Sequence, residues 1–240
     1  MYLNLIFHRI AKNDKDILDD YEVTLEQFLN ILDLIRDLSS SPHCHFKHFR
    51  YYFDDGDDSF ISRALPNILK KELSNCVLAV TTNNIGKKDF ITKSDIFSLH
   101  SQGVQIASHS VSHAALAYYK NDVIQPTTKG GRYQTSPFGH TKILSEQEVL
   151  YQLKESKKII TDIVGNVSEF VLPHGCYNKD VIRINQEYQL YDIISTCDNY
   201  LDNGYYLRPR ILTRFNMSIL EIKSLITSLK PIKDEQNIER

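Results

Sequence analysis

Short apolar runs separated by helical stretches recur along the whole chain, and this alternation constrains the fold more than any other feature. Leu3–His8, Phe49–Phe53, Val77–Val80 and Val104–Ala107 each read as a strand, being too short for a helix and bounded by polar or turn-forming residues. Further runs follow near Phe170–Leu172, Ile193–Thr196 and Tyr206–Ile211. Helical patterns lie between them. Thr24-Leu25-Glu26-Gln27 has the form of a capping box, in which the N-cap hydroxyl and the N3 side chain satisfy each other's backbone amides. Leu25, Phe28, Leu32 and Ile35 then continue at helical spacing. Ser59–Lys71 reads as a helix kinked at Pro66, and Ser94–Ser101 as another. A second capping box, Ser145-Glu146-Gln147-Glu148, opens a helix running through Leu153, Ile160 and Ile163 to Gly165. Lys179–Tyr188 and Ser218–Leu229 complete the set. Strands that alternate with helices pair in parallel and are joined by right-handed crossovers. The expectation is an α/β fold with its chemistry at the C-terminal ends of the strands.

Two of these runs deliver residues that carry chemistry. Phe49–Phe53 leads into Asp54-Asp55-Gly56, and Val104–Ala107 leads into His109-Ser110-Val111-Ser112-His113. Imidazole and carboxylate are the usual ligands of Zn²⁺ and related ions, and a catalytic site keeps one position open. Adjacent aspartates in extended backbone point in opposite directions, but where the chain turns at a strand end both can approach one site. One then ligates and the other accepts a proton from the attacking water. Gly56 permits the sharp turn, and His109 and His113 share a face if the chain enters a helical turn there. Each half also has a plainer reading. The aspartates could form a solvated acidic turn, and the histidines could be ordinary hydrogen-bonded side chains. Together they point to metal-assisted hydrolysis. A calcium-binding EF-hand is excluded, because the twelfth residue counted from Asp55 is Pro66 and not glutamate. The cluster of His43, His45 and His48 beside Cys44 matches no zinc spacing and reads as a polar linker.

Asp54-Asp55-Gly56 resembles the T-F-D-D-G motif of the polysaccharide deacetylases, the NodB-homology enzymes of carbohydrate esterase family 4. His109–His113 matches that family's H-[ST]-x-x-H motif. Phe170-Val171-Leu172-Pro173-His174-Gly175-Cys176-Tyr177-Asn178 is similar to its third motif, a P-x-G segment followed by Y-N. Phe7-His8-Arg9-Ile10 is similar to the Y-H-R-[IV] end of a first strand in one branch, and the resemblance extends from Leu3 to Ile211. It implies a distorted (β/α) barrel with about seven parallel strands, forming a single catalytic domain over residues 1–240. It also implies that Asp54 is the general base and that Asp55, His109 and His113 hold a divalent metal, with Zn²⁺ the first choice and Co²⁺ or Ni²⁺ alternatives. The backbone N–H of His174 would bind the oxyanion, and Pro173, Gly175 and Tyr177 would line the substrate side. The implied reaction removes the N-acetyl group from an acetylated amino sugar in a glycan or glycan precursor.

Two departures from the family pattern bear on the site. Where the family carries an arginine two residues before the proline, to orient the base, this chain has Val171. The late stretch Leu207-Arg208-Pro209-Arg210-Ile211-Leu212 lacks the histidine that protonates the leaving amine in many members. It resembles a branch whose last strand reads P-R-[IV], so Arg210 is expected to reach the site and supply part of the missing charge. Arginine stays charged and cannot serve as the acid, which leaves His8, His140, His174 or a water at the metal. Two alternatives stay open: a carbohydrate-binding barrel without turnover, and a hydrolase of a non-sugar amide or ester.

Bulk properties bound the remaining choices. A chain of 240 residues suits one α/β barrel, and a net charge of −2 leaves no electrostatic footprint for nucleic acid. No apolar window approaches the length of a membrane span, and the N-terminus lacks a signal-peptide pattern, so a cytoplasmic location is expected. The four cysteines show no C-x-x-C spacing; Cys76 and Cys197 are expected to be buried thiols. Residues 118–144 form a long loop directly after the metal histidines. Such a loop could close over the substrate, with Arg132 or His140 contacting a phosphate or hydroxyl, or it could be a surface insertion. Residues 233–240 read as a charged, frayed tail.

Overall fold

The computed structural model describes residues 1–41, 46, 48–70, 75–116, 144–198, 202 and 206–230. Expectations placed on His43, Cys44, His45, Lys71, Arg132, His140, the rest of the 118–143 loop and the 233–240 tail lie outside the described residues.

Strands and helices alternate along the chain. They run β1 (Tyr2–Phe7), β2 (Ile10–Ala11), β3 (Val23–Thr24), α1 (Leu25–Ser40), β4 (His48–Phe53), α2 (Leu65–Lys70), β5 (Cys76–Val80) and α3 (Lys93–Ser101). There follow β6 (Gln105–Ser108), α4 (Glu146–Val164), β7 (Glu169–Val171), α5 (Lys179–Glu187), β8 (Ile193–Ser195), β9 (Leu207–Arg208), β10 (Ile211–Leu212) and α6 (Ile219–Ser228). Eight strands make one parallel sheet in the order β10-β1-β4-β5-β6-β7-β8-β9. The short pair β2 and β3, not anticipated from the sequence, forms a separate ribbon.

The two end strands of the large sheet are neighbours in sequence. Leu207 pairs with Ile194 on one side, and Ile211 pairs with Leu5 on the other. Three peptide steps separate Arg208 from Ile211 and reach no more than about 10 Å, so the sheet curls until its edges meet. This is a distorted (β/α) barrel. Its last stave, expected as one strand over Tyr206–Ile211, is broken into β9 and β10. Pro209 explains the break, since it has no N–H to continue the ladder. Its carbonyl is taken up instead by Asn4 Nδ2 at 2.9 Å. With β9 and β10 counted as halves of one stave, the barrel has the expected seven.

Side-chain alternation along the strands divides the interior in two. Leu3, Leu5 and Phe7 face outward onto Phe28, Ile31, Leu32 and Ile35 of α1, within the main apolar core. Phe7 meets Phe28 edge-on with ring centroids 5.0 Å apart. Inside the barrel a smaller cluster joins Tyr52, Val77, Ala79, Ala107 and Val171. Beneath it sits Glu169, fully buried, which accepts hydrogen bonds from Tyr52 Oη (2.8 Å), Gln105 Nε2 (2.7 Å), Arg208 Nη1 (2.6 Å) and Ser195 Oγ. The Arg208 guanidinium also donates to Tyr52 Oη at 2.9 Å.

Helix starts follow their capping residues, with two corrections. Ser145 and Ser218 make reciprocal boxes with Glu148 and Glu221. At α1, Thr24 accepts from the Gln27 amide, but the Gln27 side chain does not return the bond. Its Nε2 donates to the carbonyls of Arg214 (2.8 Å), Met217 (3.0 Å) and Phe215 (3.3 Å), tying the loop after β10 to α1. The expected helix over Ser59–Lys71 begins as a π-helical turn at Phe60–Ala64 before α2. That turn runs directly into α2, with the Leu65 amide donating to Phe60 O, so Pro66 lies within a continuous helical stretch just after the widened turn. Among the described residues no helix is long and apolar enough to cross a membrane.

Replacing Glu169 by Ala leaves the Arg208 guanidinium with the Tyr52 hydroxyl and, for countercharge among the described residues, the more distant Asp202 carboxylate at 3.5 Å. Urea denaturation is expected to show a loss of about 3–5 kcal/mol. The double variant Glu169→Ala/Arg208→Met is expected to recover a large part of that loss.

Candidate metal centre and active site

β4 carries Arg50 and Tyr52 on its barrel-facing side, and Asp54 follows directly in the same alternation. The Asp54 amide still donates to Phe7 O at 2.9 Å, so the ladder holds to the end of the strand. Asp55 and Gly56 then both adopt φ of 78°. A turn through two left-handed residues breaks the strand alternation and lets adjacent carboxylates face one place. Asp55 Oδ1 lies 3.4 Å and Asp54 Oδ2 4.0 Å from the same atom, His109 Nε2.

The histidine segment is an arch and not the helical turn suggested by its spacing. Ser110 has φ of 66° and His113 φ of 57°. Ser110 Oγ accepts from the His113 amide at 2.9 Å, closing the arch on itself. The two imidazoles end 4.8 Å apart, centroid to centroid. His109 Nδ1 contacts Val171 O at 2.8 Å. A carbonyl can only accept, so Nδ1 carries the proton and Nε2 presents its lone pair to the site.

Asp55, His109 and His113 bring one ligand atom each to within 4.8 Å of one another, and all three are buried. Asp55 Oδ1 lies 3.3 Å from His113 Nε2 and accepts no hydrogen bond. A buried carboxylate oxygen without a donor, facing two imidazole nitrogens, fits a divalent cation. The donor set of two imidazoles and one carboxylate is that of catalytic zinc sites with an open position. Burial opposes charge on Asp55, but the imidazoles of His113, His109 and His8 outweigh it and hold the carboxyl well below its ordinary range. Burial, with the neighbouring His174, His109 and His8, pushes His113 well down despite Asp55. His109 is also buried, but the carboxylates of Asp54 and Asp55 raise it.

Asp54 belongs to a different partner. Arg210, wholly buried at the break between β9 and β10, donates from Nη1 to Asp54 Oδ1 at 2.8 Å and to Oδ2 at 3.1 Å. Its Nε donates to Thr196 O at 3.2 Å, and its guanidinium carbon lies 4.9 Å from the Tyr52 ring centroid. Burial disfavours the cation, but Asp54 reverses the balance and raises the Arg210 pKa. Val171, at the position of the family's arginine, fills the barrel interior.

The third motif forms a tight turn over Pro173–Gly175. His174 sits in it at φ of 58°, exposed, with its ring 4.5 Å from that of His113. Gly175 has φ of 67°, and a Cβ there would lie 2.7 Å from Cys197 Cβ. No larger residue fits. Pro173 and Tyr177 are buried, and Tyr177 Oη donates to Asp198 Oδ2 at 3.1 Å. His8 follows β1 at the same mouth, half-buried, with its ring 5.7 Å from that of Tyr21. Cys76 and Cys176 are buried, whereas Cys197, expected to be buried, is partly exposed. Burial pushes the thiols of Cys176 and Cys197 up to about 11, far from a nucleophile's range.

Two residues of the site carry no motif signal. Tyr52 underlies Arg210, and its one mark in the sequence is its place two residues before Asp54 on the same strand face. Gln152 of α4 binds the histidine arch through both atoms of its amide. Its mark is a polar residue on the buried stripe that includes Val149, Leu153 and Ile160.

With the geometry established, comparison with known proteins identifies the class. The model of the polysaccharide deacetylase family matches residues 46–193, from the approach to the aspartates through the third motif. The chain belongs to the polysaccharide deacetylase family, whose members are metal-dependent. Solved structures share the fold. The deacetylase PplD of Streptococcus pyogenes, in complex with acetate, is 18% identical with a TM-score of 0.70, covering 94% of this chain and 97% of that one. IcaB of Ammonifex degensii is 15% identical with a TM-score of 0.68, covering 95% and 97%. A polysaccharide deacetylase of Bacillus cereus is 17% identical with a TM-score of 0.69, covering 94% and 68%. No curated protein sequence gives a significant match.

Calorimetric titration of metal-stripped protein is expected to give one tight zinc site. Asp55→Asn and His113→Ala are each expected to weaken it by more than the roughly 10–100-fold that follows loss of an outer-shell partner. Affinity is expected to fall as the solution is acidified, because imidazole and carboxylate ligate only when deprotonated.

Proposed function

We propose that this protein is a metal-dependent N-deacetylase acting on an acetylated amino sugar of a glycan or glycan precursor. The division of labour between adjacent carboxylates carries the reading: Asp54 is bound by Arg210, while Asp55 faces the two imidazoles. A base and a ligand set side by side are what hydrolysis of an amide requires.

Asp55, His109 and His113 would hold a divalent cation, Zn²⁺ by the chemistry of the donor set, which supplies Lewis-acid polarisation of the amide carbonyl and of water. Asp54 takes the proton from the attacking water, at Oδ2, its oxygen nearer His109. Arg210 fixes the orientation of Asp54 by donating to both of its oxygens, the role that the family's arginine would fill at Val171. The backbone N–H of His174, in its tight turn beside His113, donates to the oxyanion, an interaction worth about 3 kcal/mol in the transition state. Pro173 and Gly175 shape that turn, and Tyr177 braces it through Asp198. His8 protonates the departing amine. It stands half-buried at the same mouth, and its buried Nδ1 has no hydrogen-bond partner among the described residues. The acetate bound to PplD, a protein of the same fold, supports acetyl as the group released.

Zinc-loaded protein is expected to release acetate from N-acetylated amino-sugar oligomers or their nucleotide- or lipid-linked precursors. Asp54→Asn is expected to cut kcat by roughly 10²–10⁴-fold with metal content unchanged. Arg210→Met is expected to lower kcat at constant metal content, and His8→Ala to slow substrates with poor amine leaving groups most. Sugar binding without acetate release, with zinc, cobalt or nickel supplied, would replace this reading with that of a binding barrel. Acetate release confined to aryl esters would replace it with a non-sugar hydrolase.

A further inference from the structure

We propose that Gln152 is a positioning residue for the metal centre, setting the direction of His113 through the backbone of the 110–113 arch. The inference rests on the reading of Asp55, His109 and His113 as a cation site.

The two histidines are held by different means. His109 ends a strand: its amide donates to Val80 O at 2.9 Å, and its ring is locked on Val171 O at 2.8 Å. The barrel wall alone fixes it. His113 lies beyond one left-handed residue that no ladder supports, Ser110, and is itself left-handed. Left-handed non-glycine residues cost of order 1–3 kcal/mol each and persist only when their surroundings impose them.

The arch is pinned from two sides. From one side, the amides of Thr82 and Asn83 donate to Ser110 O (3.1 Å) and Val111 O (2.9 Å). From the other comes a single side chain. Gln152 Oε1 accepts from the amides of Val111 at 3.0 Å and Ser112 at 3.1 Å, and its Nε2 donates to Ser112 Oγ at 3.0 Å. Gln152 is 1% exposed, and its bond to the Val111 amide is fully buried.

The helix that carries Gln152 is itself indexed to the strand that carries His109. Ser156, one turn after Gln152, meets Ser108 Oγ at 2.7 Å, immediately before His109. Ser156 and Gln152 thus act as two rungs at i+4 and i on one helix face. The first fixes α4 against β6, and the second transfers that register to the arch. A buried glutamine that merely satisfied two amides would stabilise the fold without favouring one ligand. Here its bonds reach only the part of the motif that orients His113.

The test uses full-length, metal-stripped protein and chelator-buffered zinc. Gln152→Met keeps the side-chain length but removes every hydrogen bond, and Gln152→Asn keeps the amide but draws it out of reach. Each is expected to weaken zinc binding by roughly 10–100-fold. Gln152→Glu retains the double acceptor and is expected to keep wild-type affinity or better. In a His113→Ala background the Met substitution should change affinity by no more than about 2-fold, as expected when the coupled partner is already gone. Wild-type affinity in both the Met and Asn variants would overturn the proposal, and so would an undiminished Met effect without His113. If wild-type protein itself bound no zinc, the cation-site reading would fall first, a result separate from failure of the Gln152 inference.

Discussion

A guanidinium cannot be taken out of water unless a carboxylate meets it. Arg210 is entirely buried, and its partner is Asp54, 156 residues away along the chain. The catalytic end of the barrel is organised around that pair. Pro209 halts the ladder just before it, so the last stave splits and its two halves pair with opposite edges of the sheet. The same break that closes the barrel turns Arg210 inward. With one aspartate committed to arginine, the other is left for the imidazoles.

Beneath the ion pair the barrel is polar in layers. Tyr52 lies between two arginines, presenting its ring to Arg210 and its hydroxyl to Arg208. Each guanidinium has its own carboxylate, Asp54 above and Glu169 below. Small residues make this possible: Val77, Ala79, Ala107 and Val171 leave the width that the tyrosine and Arg210 occupy. The interior thus joins the stability of the closed end to the geometry of the reactive end.

Four residues of the three motifs, Asp55, Ser110, His113 and His174, adopt left-handed backbone without being glycine. Such strain is affordable where surrounding bonds over-determine it. Ser110 Oγ, the Thr82 and Asn83 amides and Gln152 do so for the histidine arch. The arch is also where local reasoning fell short: the four-residue spacing of His109 and His113 suggested a helical turn, yet the chain brings the rings together without one. Capping shows a similar limit. Ser145 and Ser218 form the boxes their sequences imply, but Gln27 abandons Thr24 for three carbonyls of the loop after β10.

What the chain determines by itself is whatever depends on near neighbours. Alternating apolar runs imply parallel strands and crossover helices. Asp54-Asp55-Gly56 and His109–His113 mark the strand ends that bear ligands. Hydroxyl caps place the helix starts. The resemblance to a P-R-[IV] strand already brought Arg210 to the site, but the folded barrel alone decided that it donates to both oxygens of Asp54, that Gln152 and Tyr52 brace the site, and that one stave is shared between two edges. Those outcomes join residues tens to well over a hundred positions apart, and only burial, which makes an unpartnered charge or amide costly, selects among the possible partners.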